Sequence, residues 1–511
     1  MRSPAYRLMF GAALTVLLAA CTTASAPVAS PTSVAEDRSA PTPLASAAVP
    51  QQTTAPPLLL VDLNRASPGQ VSGLRMRPVD PATLADVPGI APLDFAHHYV
   101  QTVSPNGRTM AAIIWPSGSS NAGGVLHLID LASWTDTATR VIFDDYVAGL
   151  VFSPNGQALY WAGSTRHDAA YGIGQEYALY RYDLTRGAPH EVTRFPSTFT
   201  PGFLPTSARF LRSGAQFAIY GVPTDTNNLA EDVPYVLIVD LVTERVAADV
   251  RLDGVKAGQF QENAPGTSGE RYQMFTPGLA WDRTSDRLFV VHADVDAVTV
   301  VDLIGGVILA RSAVQPQSSV LGRMMNWLMP SVAAKGGLTT SRTVALSNDG
   351  NRLYAIGQRT EIVKQPNGQA RERTIPLGLQ VIDTGNLTEL RHLDLSANDM
   401  ALSPDGQRLL VHTFHDDDTG TASTGSGAKH ALVVLDAERL TERGQVGLNT
   451  AFSLAGFSPD GRFAYLYQSI NTGTNRVFVK GFDLQTQRFA AERTLDGYFA
   501  DLLASRGNTV N

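Results

Sequence analysis

The sequence predicts an all-β chain folded as a β-propeller of four-stranded blades, and three observations carry that prediction. A strand–turn–strand motif recurs along almost the whole chain, clearest in Leu402-Ser403-Pro404-Asp405-Gly406-Gln407-Arg408-Leu409-Leu410-Val411. Pro and Gly supply the turn dihedrals, Ser and Asp can bond nearby backbone, and the flanking apolar residues are spaced for half-buried strands. A second feature, a β-rich run ending in Asp, recurs between copies of the first. Four short strands per unit of ~40–45 residues or more is the period of a propeller blade.

The chain has 511 residues, of which 44% are hydrophobic and 17% charged. That composition permits a large core, and the continuous repeat argues for one large domain with an N-terminal extension rather than several domains. The formal charge is −7, and removal of a leader carrying Arg2 and Arg7 makes it more negative still. No basic footprint is visible, so nucleic acid is not an expected partner.

The first element is a secretory signal. Arg2 and Arg7 form a positive n-region, and Leu8 to Ala20 is an apolar run of thirteen residues, too short for a mature bilayer span. Its end, Leu18-Ala19-Ala20-Cys21, contains the only cysteine and resembles the bacterial lipobox. The resemblance implies that residues 1–20 are a signal peptide and that the Cys21 thiol receives diacylglycerol before cleavage. It also implies a bacterial lipoprotein anchored at the cell surface or on the periplasmic side. Thr22, not Asp, follows the cysteine, which in that pattern favours the outer membrane where there are two. Acyl chains contribute about 0.8 kcal/mol per buried CH₂, so more than one chain on Cys21 holds a soluble domain at a membrane.

From Thr22 to Pro57, 27 of 36 residues are Ala, Ser, Thr or Pro and none is aromatic. Such a segment buries too little apolar surface to offset its ordering entropy, so residues 21–57 are expected to be a lipidated, disordered tether. Residues 58–511 are expected to be the propeller.

Close copies of the first motif are Val103 to Met110, Phe152 to Tyr160, Leu346 to Tyr354 and Phe457 to Tyr465. Looser ones are Ala208 to Ile219, Ala280 to Val290 and Asp501 to Val510. Runs ending in Asp are Val125 to Asp130, Tyr177 to Asp183, Tyr235 to Asp240, Val298 to Asp302, Leu379 to Asp383, Ala431 to Asp436 and Val477 to Asp483; Met76 to Asp80 makes eight. A further short strand follows each, such as His190 to Phe195 or Arg391 to Leu395. The unit is therefore strand a, a tight turn, strand b, a variable loop, strand c ending in Asp, and strand d. One Asp per blade, always before a turn, is expected to bond local backbone rather than a metal. Eight units of four strands would make too wide an open sheet, and radial packing removes that difficulty.

Tyr498 to Leu503 reads as an innermost strand, and Leu58 to Leu84 supplies the outer strands missing from that blade, so the two ends are expected to close the ring. The count favours eight blades, although seven is the commoner number for repeats of this kind. These motifs, notably Asp286-Arg287-Leu288-Phe289-Val290-Val291 followed by Ala297-Val298-Thr299-Val300-Val301-Asp302, resemble WD40-like, TolB-like and YVTN-type propeller repeats. That resemblance implies a fold that hosts binding modules, scaffolds, lactonases and other enzymes.

In such a fold the a–b and c–d turns share one face, and the b–c and d–a connections share the other. The long segments are Ser164 to Gln175, Val222 to Val233, Gln358 to Leu377 and His415 to Lys429 between b and c, with Gly254 to Pro277 and Gln315 to Ser341 between d and a. All belong to the second face, which is therefore the candidate for function. Within Ser318 to Ala334 the spacing of Met324, Met325, Trp327 and Leu328 suits a short amphipathic helix. It reads either as a plug over the propeller or as a contact for a partner or lipid surface. The acidic His415-Asp416-Asp417-Asp418 stretch lacks the spacing of an EF-hand loop and reads as solvated.

No Gly-x-Ser-x-Gly elbow, His-Glu-x-x-His or phosphate-binding Gly-Lys loop is present. No catalytic residue, metal site or cofactor is called. His127, His292 and His412 fall in strand patterns where packing is the expected role. The expected function is a lipid-anchored, extracytoplasmic binding or scaffold module for a protein or envelope component; the alternative is a propeller-type hydrolase or lactonase with its site at the axial funnel.

Overall fold

In the computed structural model, residues 58–504 are described apart from the connecting segments 65–72, 97–98, 115–123, 144–146, 165–176, 197–198, 202–206, 224–232, 264–269, 314–337, 365–369, 416–428 and 472–474 and positions 283 and 497. Cys21, Met324, Met325, Trp327, Leu328 and Asp416–Asp418 lie outside the described residues.

The described residues form eight sheets, each with an antiparallel four-stranded blade, arranged as an eight-bladed β-propeller, which decides the blade count in favour of eight. Blade 1 consists of Tyr99–Val103, Thr109–Ile114, Gly124–Asp130 and Thr135–Phe143; blade 2 of Val147–Phe152, Ala158–Ser164, Tyr177–Asp183 and Pro189–Arg194. In blade 3, Ala208–Phe210 and Phe199–Pro201 share the inner position, followed by Gln216–Pro223, Tyr235–Asp240 and Arg245–Arg251. Blade 4 is Gly278–Asp282, Arg287–Val291, Ala297–Asp302 and Val307–Ala313; blade 5 is Leu338–Leu346, Arg352–Lys364, Ala370–Asp383 and Glu389–Leu393. Blade 6 is Ala397–Leu402, Arg408–His415, Lys429–Asp436 and Glu442–Leu448; blade 7 is Ser453–Phe457, Phe463–Asn471, Asn475–Asp483 and Arg488–Asp496.

Blade 8 is built from both ends of the domain. Tyr498–Ala504 is its inner strand, and Leu58–Asn64, Gly73–Val79 and Leu93–Ala96 follow outward. Leu58 pairs with Ala504 and Leu60 with Leu502, as the leftover strands at the two ends require. The outermost strand, Leu93–Ala96, falls beyond the stretch that sequence patterning assigned to this blade.

Each blade is covered on both faces, so the middle strands read as nearly continuous apolar runs, such as Leu353-Tyr354-Ala355-Ile356. Alternate residues then go to opposite neighbours. Leu58 and Leu60 pack with Tyr465, Val477 and Leu495 of blade 7, whereas Leu59 and Val61 pack with Val103, Met110 and Ile114 of blade 1. Polar ties reinforce the same seam: the Tyr465 hydroxyl donates to the Pro81 carbonyl at 2.8 Å, and Arg493 Nη1 donates to the Leu84 carbonyl at 2.7 Å.

The eight recurrent Asp residues do what the sequence predicts. In the c–d turns their Oδ1 atoms accept the amide two residues on and, in all but Asp302, the amide three residues on, for example Asp240 from Val242 at 2.8 Å and Thr243 at 2.9 Å. The Thr185 hydroxyl and backbone amide hold the Asp183 carboxyl down at about 2. In every one of these turns the fourth residue after the Asp has a positive φ: Leu84, Trp134, Gly187, Glu244, Gly306, Leu387, Leu440 and Gln487. In the a–b turns the Ser hydroxyl donates to the acidic or amide side chain two residues on and accepts a later amide, as Ser403 does with Asp405 and the Arg408 amide.

Two predictions follow from this packing. Leu60→Ala, at a side chain with no exposure, should cost about 2–5 kcal/mol in urea unfolding, whereas Leu390→Ala, at a 45% exposed position, should stay within about 0.5 kcal/mol. At the turn glycines, Gly187→Ala places an ordinary residue in the left-handed region with no heavy atom nearer than 3.8 Å, at a cost of about 1 kcal/mol. Gly306→Ala adds a contact of 2.5 Å with the Ala248 Cβ of blade 3 and should lower the unfolding midpoint by distinctly more.

Candidate functional site on the long-connection face

The two ends of the blades differ in kind. The a–b and c–d connections are tight turns with bonded backbone, including Ser153–Gly156, Ser347–Gly350, Ser458–Gly461 and the eight Asp turns. The b–c and d–a connections all leave the opposite end. Every undescribed internal segment of more than one residue also belongs to that second set, except 202–206, which interrupts the inner strand of blade 3.

Two stretches expected to be loops on that face contain strands instead. Gln358 to Leu377 is mostly a continuation of the two middle strands of blade 5, Arg352–Lys364 and Ala370–Asp383, which are 13 and 14 residues long. A register shift between Ile356 and Gln358 marks where they pass the length of an ordinary blade strand. Gly254 to Pro277 contains an antiparallel hairpin, Gly258–Asn263 with Glu270–Thr276, and Gln273–Thr276 pairs in parallel with Leu338–Ser341. The result is a six-stranded sheet that carries blade 5 beyond the others on this face. Pattern reading missed it because Arg359, Glu361, Lys364, Arg371, Glu372 and Arg373 give these strands a polar, loop-like composition.

At the base of this raised sheet lies a basic cluster. Thr340, Arg342 and Val344 alternate on one face of the inner strand of blade 5, and Val344 packs on Ala280, Phe289 and Val291 of blade 4. Thr340 stands opposite Arg359, and Arg342 opposite Gly357. A Cβ at Gly357 would stand 2.7 Å from the Arg342 Cδ, so the glycine leaves the space through which the arginine stem runs. The Arg342 side chain is only 2% exposed, and its Nη2 donates to Asp296 in the short hairpin between Val291 and Ala297 of blade 4. Among the described residues its Nε and Nη1 have no partner, nor do the buried Thr340 Oγ1 and Arg359 Nε. Burial pushes the Arg342 pKa down, Asp296 opposes that, and the neighbouring Arg359 charge adds to the depression.

Other polar groups here are engaged in holding blades together. Arg311 Nε donates to the Thr299 hydroxyl at 2.9 Å, and that hydroxyl lies 2.7 Å from His292 Nε2. Burial, with the Arg311 charge, takes the His292 pKa down to about 4. Asp294 Oδ2 accepts the Lys256 amide at 2.8 Å. Between blades 6 and 7, Asp399 accepts the Leu454 amide at 2.7 Å and the Met400 amide at 2.8 Å, and desolvation raises its pKa to about 6. His412 has no exposure, its ring centroid lies 5.3 Å from that of His430, and burial followed by His430 takes it down to about 4. His292 and His412 are thus packed as their strand positions suggest, and His127 is half-buried at 3.0 Å from Asp136. No group of three or more His, Cys, Asp or Glu placed to hold a metal ion occurs among the described residues.

No family model and no curated protein matches the chain. Many solved structures resemble it. They include the dihydro-heme d1 dehydrogenase NirN in complex with DHE, at 12% identity and TM-score 0.48 over 89% of this chain and 77% of that one. The periplasmic gluconolactonase PpgL of Pseudomonas aeruginosa is similar at 17% identity and TM-score 0.40 over 79% and 98%. The C-terminal WD40 domain of Sif2 is similar at 11% identity and TM-score 0.41 over 77% and 87%. Likenesses at this level carry no argument about activity.

The buried histidines predict an acid response. His292 and His412 have folded values near 4 against about 6.5 unfolded. The unfolded chain therefore binds protons first, and their contribution is complete above about 6.5 and is lost as pH falls towards 4. Asp399 has the opposite sign: its folded value of about 6 lies above the ordinary carboxylate range, so its contribution is lost as pH rises through 6. Two groups against one should make the protein less stable to urea at about pH 4.5 than at about pH 7. His412→Leu should narrow that difference, because it removes an imidazole whose charged form burial and His430 oppose. An unchanged difference in the variant would show that His412 contributes nothing to it.

Proposed function

We propose that this chain is a lipid-anchored, extracytoplasmic propeller that binds a protein or envelope component through its long-connection face. The observation that carries the reading is the division of labour between the two ends of the blades. One end consists of tight, internally bonded turns, and the other carries the long connections and the sheet that extends blade 5. A rigid ring that fixes the bases of such loops reduces the ordering entropy lost when they bind. The lipobox-like Leu18 to Cys21 and the tether after it supply the anchor in this reading. Met324, Met325, Trp327 and Leu328, in the connection from blade 4 to blade 5, supply the apolar contact.

The second reading, a propeller hydrolase or lactonase working at the axial funnel, draws its support from Arg342, a buried charge on an inner strand at the same face.

Two measurements test the proposal on the full chain expressed with its native N-terminus. Mass spectrometry should find residues 1–20 removed and an acylated Cys21, with Cys21→Ser unmodified; an unprocessed N-terminus in the wild type would remove the anchor from the account. Affinity capture from detergent-solubilised envelope should then retain a partner that Trp327→Ala combined with Met324→Ala loses while still folding. Capture that is indifferent to both substitutions would place the contact elsewhere.

A further inference from the structure

The basic cluster at the base of the raised sheet is difficult to explain as structural glue. Elsewhere in this propeller the partly buried arginines keep acceptors from two residues: Arg77 lies 2.8 Å from Asp62 and 3.8 Å from Asp86, with its Nε unpartnered among the described residues, and Arg493 bonds the Leu84 carbonyl and Asp86. Arg342 is more deeply buried than any of these, yet only one of its nitrogens is engaged, and by an Asp296 side chain that is 57% exposed.

Arg359 lies close enough for its charge to act on Arg342, and its buried Nε has no hydrogen-bond partner among the described residues. Asp296 is bonded to Arg342 alone, so the second guanidinium brings a charge that this carboxylate does not engage. Burying a guanidinium with unused donors beside a second like charge is costly unless a further anion neutralises the pair. The unpartnered Thr340 hydroxyl stands directly across from Arg359 and adds a neutral donor to the same patch.

The geometry points to an oxyanion-binding subsite at the long-connection end of the seam between blades 4 and 5, formed by Arg342, Arg359 and Thr340. Its ligand carries a carboxylate or phosphate group. The planar guanidinium fork presents parallel N–H donors matched to two oxygens of such a group, which a point-charge ammonium does not. The free Nε and Nη1 of Arg342 lie on different edges of its guanidinium, so one of them, alone or paired with the remaining Nη2 hydrogen, supplies the donor edge to the anion, and Arg359 supplies the second charge. Asp296, held on Arg342 Nη2, fixes the plane of that guanidinium from the opposite side. Gly357 makes the arrangement possible, because any side chain there would meet the Arg342 stem. This subsite goes beyond the proposed function and does not depend on it, since an acidic group on a macromolecule or on a small substrate would be held in the same way.

The test uses the full chain in detergent, with inorganic phosphate and succinate as separate probes and sodium chloride as the control at matched ionic strength. Thermal unfolding and isothermal titration should show saturable stabilisation by at least one oxyanion and none by chloride. Arg359→Met and Arg342→Met should each weaken binding about tenfold or more. Arg342→Met is close in volume and removes a buried charge, so it should fold; Arg359→Met, at a more open position, guards against the case in which it does not. Thr340→Val should weaken binding less than either. The probe that binds more tightly identifies the acid group of the ligand. No oxyanion-specific stabilisation of the wild type, or stabilisation retained in both arginine variants, would overturn the assignment.

Discussion

The structure depends on the pairing of Leu58–Asn64 with Tyr498–Ala504. Seven blades are each made from one continuous stretch of chain, and an open arc of them would expose the apolar flanks of blades 1 and 7. The eighth, assembled from both ends, covers Val103, Met110 and Ile114 on one side and Tyr465, Val477 and Leu495 on the other. Alternation along Leu58-Leu59-Leu60-Val61 lets four consecutive apolar residues serve both neighbours. The Tyr465 to Pro81 and Arg493 to Leu84 bonds tie the same seam at its polar margin.

Closure also separates the two faces chemically. On one, each connection satisfies its own backbone through an Asp, Ser or left-handed residue, which leaves little scope for variation. On the other, nothing in the blade prescribes connection length, and the chain uses that freedom for the raised sheet of blade 5. The hairpin from the blade 3 to blade 4 connection pairs with the inner strand of blade 5, so neighbouring blades are linked where the basic cluster sits. Position in the ring, rather than any local motif, brings Asp296, Thr340, Arg342 and Arg359 together.

The difference between what was and was not legible in the sequence has the same origin. Turns are local, so the Ser-Pro-Asp-Gly motifs and the eight Asp residues could be read directly, and ring closure could be inferred from the strands left over at the ends. The raised sheet could not, because strands standing clear of a covered blade lose the apolar alternation that reveals a strand. The basic cluster left one faint signal: Thr340 and Arg342 occupy the same alternate positions as Val344, where an inner strand should be apolar. Nothing local indicates that Arg359 would meet them, because that contact is set by cross-strand register. The Met- and Trp-bearing segment and Cys21 lie outside the described residues, so their part in the account rests on sequence.

Amide hydrogen exchange on the full chain tests the closed ring most directly. If the terminal strands close it, amides of Leu59–Val61 and of Leu502–Ala504 should exchange only through global unfolding, at the same slow rate as Leu432–Leu435 in blade 6. Exchange in blade 8 that runs orders of magnitude faster than in blade 6, with the other blades still protected, would mean that the ring opens at this seam and would contradict the account.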